Sequence, residues 1–309
     1  MLVSQQLTLP NGLVVRNRLA KAAMAEVMAP ESHNPAEKHQ IAYGEWSKGC
    51  WGMILTGNVQ VSEVYLGQPG DVQAQASPSE ATKKLWKEWA TVTQQFGTPA
   101  IVQLSHPGRQ SPPGAGTRSF FSKNIAPSPV KLNMGSNFLA KAAVTLMFGT
   151  PREMTLEDIS LVIKQFVAAA KQAHDAGFKG VELHAAHGYL LSIFLSPQTN
   201  LRTDEFGGSP AKRAEIILRI IRQIRAATSP SFAIGIKFNS VDASSTSSLD
   251  DVIEQIGLIK DAGIDFMEIS GGSFESPNMM KEPEDASPSS PAPSAPASSK
   301  APPTAKPSS

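Results

Sequence analysis

Residues 179–208 read K-G-V-E-L-H-A-A-H-G-Y-L-L-S-I-F-L-S-P-Q-T-N-L-R-T-D-E-F-G-G. Val181 and Leu183 alternate with Glu182 and His184, which is the period-two signature of a strand, and Gly177 just upstream is a helix stop. The apolar alternation then breaks into a polar turn, so His184, His187 and Tyr189 gather at one strand end. Each ring could merely satisfy a nearby backbone group. Two imidazoles and a phenol within six residues point instead to a site.

Outward from this stretch, strand-like and helix-like segments alternate. Upstream, a Pro10-Asn-Gly12 turn leads to an apolar strand over 18–24, and Asn34-Pro35-Ala-Glu37 starts a helix running to about Ser47. Trp51-Gly-Met-Ile-Leu-Thr-Gly57 reads as a buried strand. Ser77-Pro78-Ser-Glu80 caps a second helix, with Leu85, Trp89, Val92 and Phe96 at helical spacing. Residues 99–104 form the next strand, and a Pro- and Gly-rich excursion follows over 107–151. Thr155-Leu-Glu-Asp158 caps a helix presenting Ile159, Val162, Ile163, Phe166, Val167 and Ala170 on one face. Downstream come a helix from Ser209-Pro210 with Ile216, Ile217, Ile220 and Ile224, a strand over 232–237, a helix capped at Ser248 with Val252, Ile256 and Ile259 inward, and a strand over 265–270.

Six strand–helix repeats, the last without its helix, imply a parallel sheet, either doubly wound or a (β/α) barrel. No GxGxxG follows the first strand, which weighs against a dinucleotide-binding doubly wound fold. Asn58, Gln103, His184, Lys237 and Glu268 all fall at C-terminal strand ends, where a barrel carries its site. The expected fold is therefore α/β, a TIM (β/α)8-type barrel with about six of eight units. Period two turns Glu182, His184, Gly235 and Lys237 inward if Val181, Leu183, Ile234 and Ile236 face helices. Charges inside a barrel are costly unless paired or met by a ligand. Either Glu182 pairs with Lys237 (or Lys21) to close the barrel, or Lys237 sits at the floor of a pocket for an electron-rich ring; the second reading is preferred.

Composition sets the boundaries. The 309 residues are 41% hydrophobic and 18% charged with a formal net charge of +1, which gives no electrostatic reason to expect nucleic acid or an anionic membrane as partner. Cys50 is the single cysteine, so neither a disulfide framework nor structural zinc is expected, and no metal site is assigned. The N-terminus lacks a signal-peptide pattern, and the most apolar window, 138–148, is too short to span a bilayer. A cytoplasmic, reducing setting is the default expectation. Residues 281–309 are rich in Ser, Pro and Ala, and are read as a disordered tail after a barrel domain over 1–280.

The chain resembles the old yellow enzyme family of FMN-dependent NADH:flavin oxidoreductases and ene-reductases. The resemblance rests on N-G-L-V-V-R-N-R-L-A-K-A-A-M at 11–24, G-M-I-L-T-G-N at 52–58, Q-L-S-H-P-G-R at 103–109, the long motif at 181–209 and D-F-M-E-I-S-G-G at 265–272. It implies FMN as cofactor, NADH or NADPH as reductant, and a small electron acceptor such as an α,β-unsaturated carbonyl. The backbone at Ala23, Met24 and Ala25 would line the flavin, Asn58 and Gln103 would hydrogen-bond its ring edge, and Lys237 would sit at its pyrimidine end. His184 and His187 would hold a substrate oxygen, and Tyr189 would donate the proton. The family's last two strand–helix units, which carry its flavin-phosphate site, find no counterpart after about Met280. A fragment that no longer holds FMN, and a barrel lyase or isomerase using Lys237 as a Schiff-base amine, are the alternatives; a homo-oligomer is left open.

Overall fold

The computed structural model describes residues 2–119, 122–133, 138–239 and 248–272. The 280/281 boundary and the 281–309 tail lie outside these residues. Six parallel strands form one curled sheet: β1 (Ala20–Lys21), β2 (Met53–Gln60), β3 (Ala100–Ser105), β4 (Gly180–Ala185), β5 (Ala233–Asn239) and β6 (Phe266–Ser270). Their spatial order is their chain order, β1-β2-β3-β4-β5-β6, and a short strand at Val72–Gln73 adds to β2. Sequential parallel pairing without reversal is barrel winding, not the switch-point order of a doubly wound sheet.

The connecting helices are α1 (Glu37–Ser47), α2 (Glu80–Thr93), α3 (Phe138–Phe148), α4 (Leu156–Ala176), α5 (Leu190–Leu195), α6 (Pro210–Ala227) and α7 (Leu249–Asp261). Local chemistry sets their ends. Thr155 Oγ1 accepts the Asp158 N–H at 3.2 Å while the Asp158 carboxylate accepts the Thr155 N–H at 2.8 Å. Gly177, at φ +99°, then ends α4 in the left-handed region that glycine enters without a steric penalty. Ser209 and Ser248 cap α6 and α7 as the sequence predicts. The first two helices start two residues later than expected. Ala36 precedes α1 and its N–H is accepted by His39 Nδ1 at 3.2 Å, whereas Ser79, not Ser77, caps α2. In both cases the proline, Pro35 or Pro78, sits just outside the helix and not at its first position.

Outward strand residues pack with the helices in the main core. Ile54, Val102, Leu104, Val181, Leu183, Ile234 and Ile236 join Ile159, Phe166, Ile216, Ile217 and Ile220 there. On α2 the buried face is Trp86, Trp89, Ala90 and Thr93, one residue round from the predicted face, and Phe96 is left exposed beyond the helix end. Trp89 meets Trp86, Tyr43 and Phe178 edge-on at centroid distances of 5.8, 5.3 and 5.3 Å. Such pairs contribute ~0.5–1.5 kcal/mol each beyond area burial.

Inward residues form layers. At the base, Leu55, Ile101 and Ala233 cluster beneath Leu9, with Leu13 packed against them. Leu9 and Leu13 belong to an antiparallel hairpin, Leu7–Thr8 with Val14–Val15, turning at Gly12 (φ +87°). This hairpin closes the N-terminal end of the sheet. Gly235 keeps the interior open for its neighbour: a Cβ there would lie 2.1 Å from the Phe266 ring. The first strand is shorter than the sequence suggests, with only Ala20–Lys21 on the ladder. Lys21 also faces outward, its ammonium 4.3 Å from the Trp46 ring and donating to the Leu55 carbonyl, so it cannot be the interior partner of Glu182.

Candidate active site

Strand register builds the site. Gln103 lies opposite Asn58 on one side and Glu182 on the other, and Lys237 lies opposite His184 and Glu268. Gln103, Glu182, His184 and Lys237 are all buried. Gln103 Nε2 donates to Glu182 Oε1 at 2.7 Å, and Lys237 Nζ donates to Glu268 Oε1 at 2.7 Å. Lys237 therefore pairs with Glu268, and the Glu182–Lys237 pair, the alternative the sequence reading ranked second, does not form. Glu268 stands directly across from Lys237 in the parallel register, whereas Glu182 is one layer lower, opposite Gly235.

Asn58 depends on a defect in β2. The register shifts between Leu55 and Asn58, a bulge that frees the Gly57 N–H from the ladder. That N–H donates to Glu26 Oε1 and to Tyr43 Oη, both at 2.9 Å, and the Tyr43 hydroxyl donates to Glu26. A side chain at 57 would strike Glu26 and the Met24 carbonyl, so the segment after β1 runs tightly past the bulge. This places Met24 beside the position preceding Asn58. Ala23 packs against the base layer, while Met24 and Ala25 are exposed.

After β4 the chain turns sharply. His187 (φ +59°) and Gly188 (φ +75°) are both left-handed, and the turn returns Tyr189 over the strand end. His184 lies 5.1 Å from His187 and 4.7 Å from Tyr189, ring centre to ring centre. The three predicted rings thus converge. His184 Nδ1 accepts the Ala186 N–H at 3.3 Å, which assigns the ring proton to Nε2. His187 is held at both ends: its N–H donates to Asn239 Oδ1 at 3.1 Å, and Nε2 lies 2.8 Å from Ser270 Oγ. The Asn58 side chain faces the Tyr189 phenol and acts against the upward push of burial on it.

Burial dominates the electrostatics. It drives His184 well below the ordinary imidazole range, helped by His187 and Lys237, and lowers His187 to about 4 with Lys237 contributing. Tyr189 is pushed up to about 12 by burial and then by Asp71. At neutral pH the site presents two neutral imidazoles and a protonated phenol, all able to donate. Glu182 is raised to about 8, first by burial and then by the Glu268 carboxylate, and is a neutral acid.

Asn239 and Ser270 escaped the sequence reading. Each lies two residues beyond a polar strand-end residue that the sequence reading did name, Lys237 and Glu268, so one step of period two from those residues finds them. Glu26 and Tyr43 left no such signal, since they meet Gly57 from other elements. Much of the long motif is scaffolding. Asn200 Nδ2 donates to the Phe194 and Phe206 carbonyls, and the Arg202 guanidinium donates to the Met154 carbonyl at 2.6 Å while pairing with Asp204 at 2.5 Å.

The donor set suits the pyrimidine edge of a flavin. Two primary amides offer donors and acceptors together, an ammonium stands nearby, and the buried Glu182 Oε2 has no partner among the described residues. No cluster of three or more metal-ligating groups occurs among the described residues, and no helix among them is long and apolar enough to cross a membrane.

Comparison with known proteins agrees. Residues 7–291 match the NADH:flavin oxidoreductase / NADH oxidase family model. The chain is 49% identical over 285 residues to the NADH-dependent flavin oxidoreductase iccE of Talaromyces variabilis, covering 91% of this chain and 69% of that protein. It is 50% identical over 279 residues to iliE of Neonectria sp. (strain DH2), covering 90% of this chain but only 36% of the relative's length. Among solved structures, the old yellow enzyme homologue from Zymomonas mobilis superimposes with TM-score 0.73 at 22% identity, covering 88% of this chain and 74% of that one. Morphinone reductase in complex with tetrahydroNAD gives TM-score 0.74 at 24% identity, covering 86% and 73%. With β1–β6 wound as in those barrels, the chain belongs to the NADH:flavin oxidoreductase / NADH oxidase family, whose members are FMN-dependent oxidoreductases of the old yellow enzyme fold.

Proposed function

We propose that this chain is an NAD(P)H-dependent reductase that acts on a small electron-poor acceptor such as an α,β-unsaturated carbonyl. The observation that carries this reading is the convergence of His184, His187 and Tyr189 above Lys237, with His187 fixed by Asn239 and Ser270. FMN, when bound, supplies the ring that takes up hydride from the nicotinamide and passes it to the acceptor. Asn58 and Gln103 would hold that ring by its edge, the backbone at Ala23–Ala25 would line it, and Lys237 would offer positive charge at its pyrimidine end.

The two imidazoles then act on the acceptor. Neutral and hydrogen-bearing, they donate to its carbonyl oxygen, where negative charge grows as the β-carbon is reduced. Tyr189 delivers its phenolic proton to the α-carbon, and burial keeps that proton in place until it is needed. A cytoplasmic setting suits the single free, exposed Cys50.

The test separates two half-reactions. Tyr189→Phe in the full chain loaded with FMN should slow acceptor reduction by roughly 10²–10⁴-fold, the usual weight of a general acid. Reduction by NADH or NADPH, followed by loss of flavin absorbance, should stay nearly unchanged. Equal losses in both steps would remove Tyr189 from the proton-donor role.

A further inference from the structure

An amide on its own has no preferred direction. The oxygen and nitrogen ends of a glutamine are nearly isosteric, so what Gln103 offers a ligand depends on what else holds it. Gln103 is 2% exposed at the centre of the sheet, and its register partner on β4 is Glu182, which is fully buried. Its Nε2 donates to Glu182 Oε1 at 2.7 Å, and no hydrogen bond is made by its Oε1 among the described residues.

The neighbouring ion pair leaves Glu182 to this amide. Lys237 Nζ donates to Glu268 Oε1 at 2.7 Å, so the one ammonium of this layer is engaged by Glu268 and not by Glu182. Glu182 Oε2 has no partner among the described residues. The other oxygen, Oε1, is left as a pure acceptor, and only the NH₂ end of Gln103 can satisfy it. We propose that Glu182 is a positioning residue that fixes the Gln103 amide with its carbonyl and second N–H turned towards the flavin ring. The role rests on the reading of Gln103 as a flavin contact given above, and it reaches the ring through Gln103 alone.

A double-mutant cycle tests it without any measure of turnover. FMN is titrated into the full 309-residue chain and into Glu182→Leu, Gln103→Leu, the double variant and Glu182→Gln, with the dissociation constant read from quenching of flavin fluorescence. Each leucine variant should bind about 5–20-fold more weakly, the double variant no more weakly than Gln103→Leu alone, and Glu182→Gln within about twofold of the parent, because a glutamine oxygen can still accept. Additive losses, a silent Glu182→Leu, or a Glu182→Gln as damaging as Glu182→Leu would overturn the positioning role while Gln103 keeps its own. A silent Gln103→Leu, or no quenching by the parent chain, would instead overturn the flavin reading and the positioning role with it. Melting followed by circular dichroism without FMN checks folding, and Glu182→Met replaces the leucine variant in the cycle if the latter does not fold.

Discussion

Removing one hydroxyl tests how the bulge in β2 is held. Tyr43 is fully buried, donates to Glu26 and accepts the Gly57 N–H at 2.9 Å. In Tyr43→Phe the Gly57 N–H keeps its second acceptor, Glu26 Oε1, also at 2.9 Å, so no backbone donor is stranded. The loss is the hydrogen bond from the phenol to the Glu26 carboxylate. Bonds to charged groups are worth about 1.5–3 kcal/mol, and the phenylalanine ring keeps the apolar contacts with Trp46 and Trp89. We therefore expect a loss of about 2 kcal/mol, a fall in melting temperature of about 4–8 °C at ~2–4 °C per kcal/mol for a domain of this size. Urea unfolding followed by circular dichroism measures it. Glu26→Leu alone and in combination gives the coupling, which should be at least about 1 kcal/mol because the two side chains share one bond. A Tyr43→Phe loss under about 0.5 kcal/mol, or strict additivity with Glu26→Leu, would refute the reasoning and show that the phenol adds nothing to the hold of Glu26 on the bulge.

Two further outcomes follow from the site. Ser270→Ala removes the hydroxyl 2.8 Å from His187 Nε2 and frees the ring to change tautomer. Binding of a phenol to the FMN-loaded chain, followed by its long-wavelength charge-transfer band, should weaken about fivefold, which is ~1 kcal/mol, and an unchanged affinity would remove Ser270 from the orienting role. Stability should fall at both ends of the pH scale, for opposite reasons. His106 and His187 are held neutral, with values lowered to about 3 and about 4 from 6.5, so their contribution is complete above pH 6.5 and is lost as pH falls through those values. Glu182, raised to about 8 from 4.5, contributes fully below pH 4.5 and loses that contribution as pH rises through 8. Each such group adds at most about 1.4 kcal/mol per pH unit of slope. Glu182→Gln should flatten the decline between pH 5 and 8 and leave the acid limb alone, as urea midpoints across the range would show; an alkaline limb that persists would place the proton elsewhere.

The parts of this molecule that were readable from sequence are those set by neighbours along the chain. Thr155 with Asp158, Ser209 with Pro210, and Gly177 mark helix ends because capping is a local exchange of hydrogen bonds. Alternation along β4 and β5 correctly turned Glu182, His184 and Lys237 inward, since the pleat itself has period two. Pairing across the sheet was not readable. Whether Lys237 meets Glu182 or Glu268 depends on the stagger between strands, which no single strand encodes. Tyr43 and Glu26 converge on Gly57 from α1 and from the segment after β1. The helix Leu190–Leu195 was hidden because a turn of six residues, five of them buried, has no polar face to give it a period.

The alternation along β5 means that chemistry and packing are written on the same seven residues. Ile234 and Ile236 lie in the helical core and Lys237 in the site, separated by a single peptide. A slip of this strand by one residue would lodge an ammonium among isoleucines and present a butyl group to the cofactor face. Whatever holds the stagger of these strands therefore guards activity and solubility at once, and a variant that loosened it would forfeit both before any catalytic side chain had been altered.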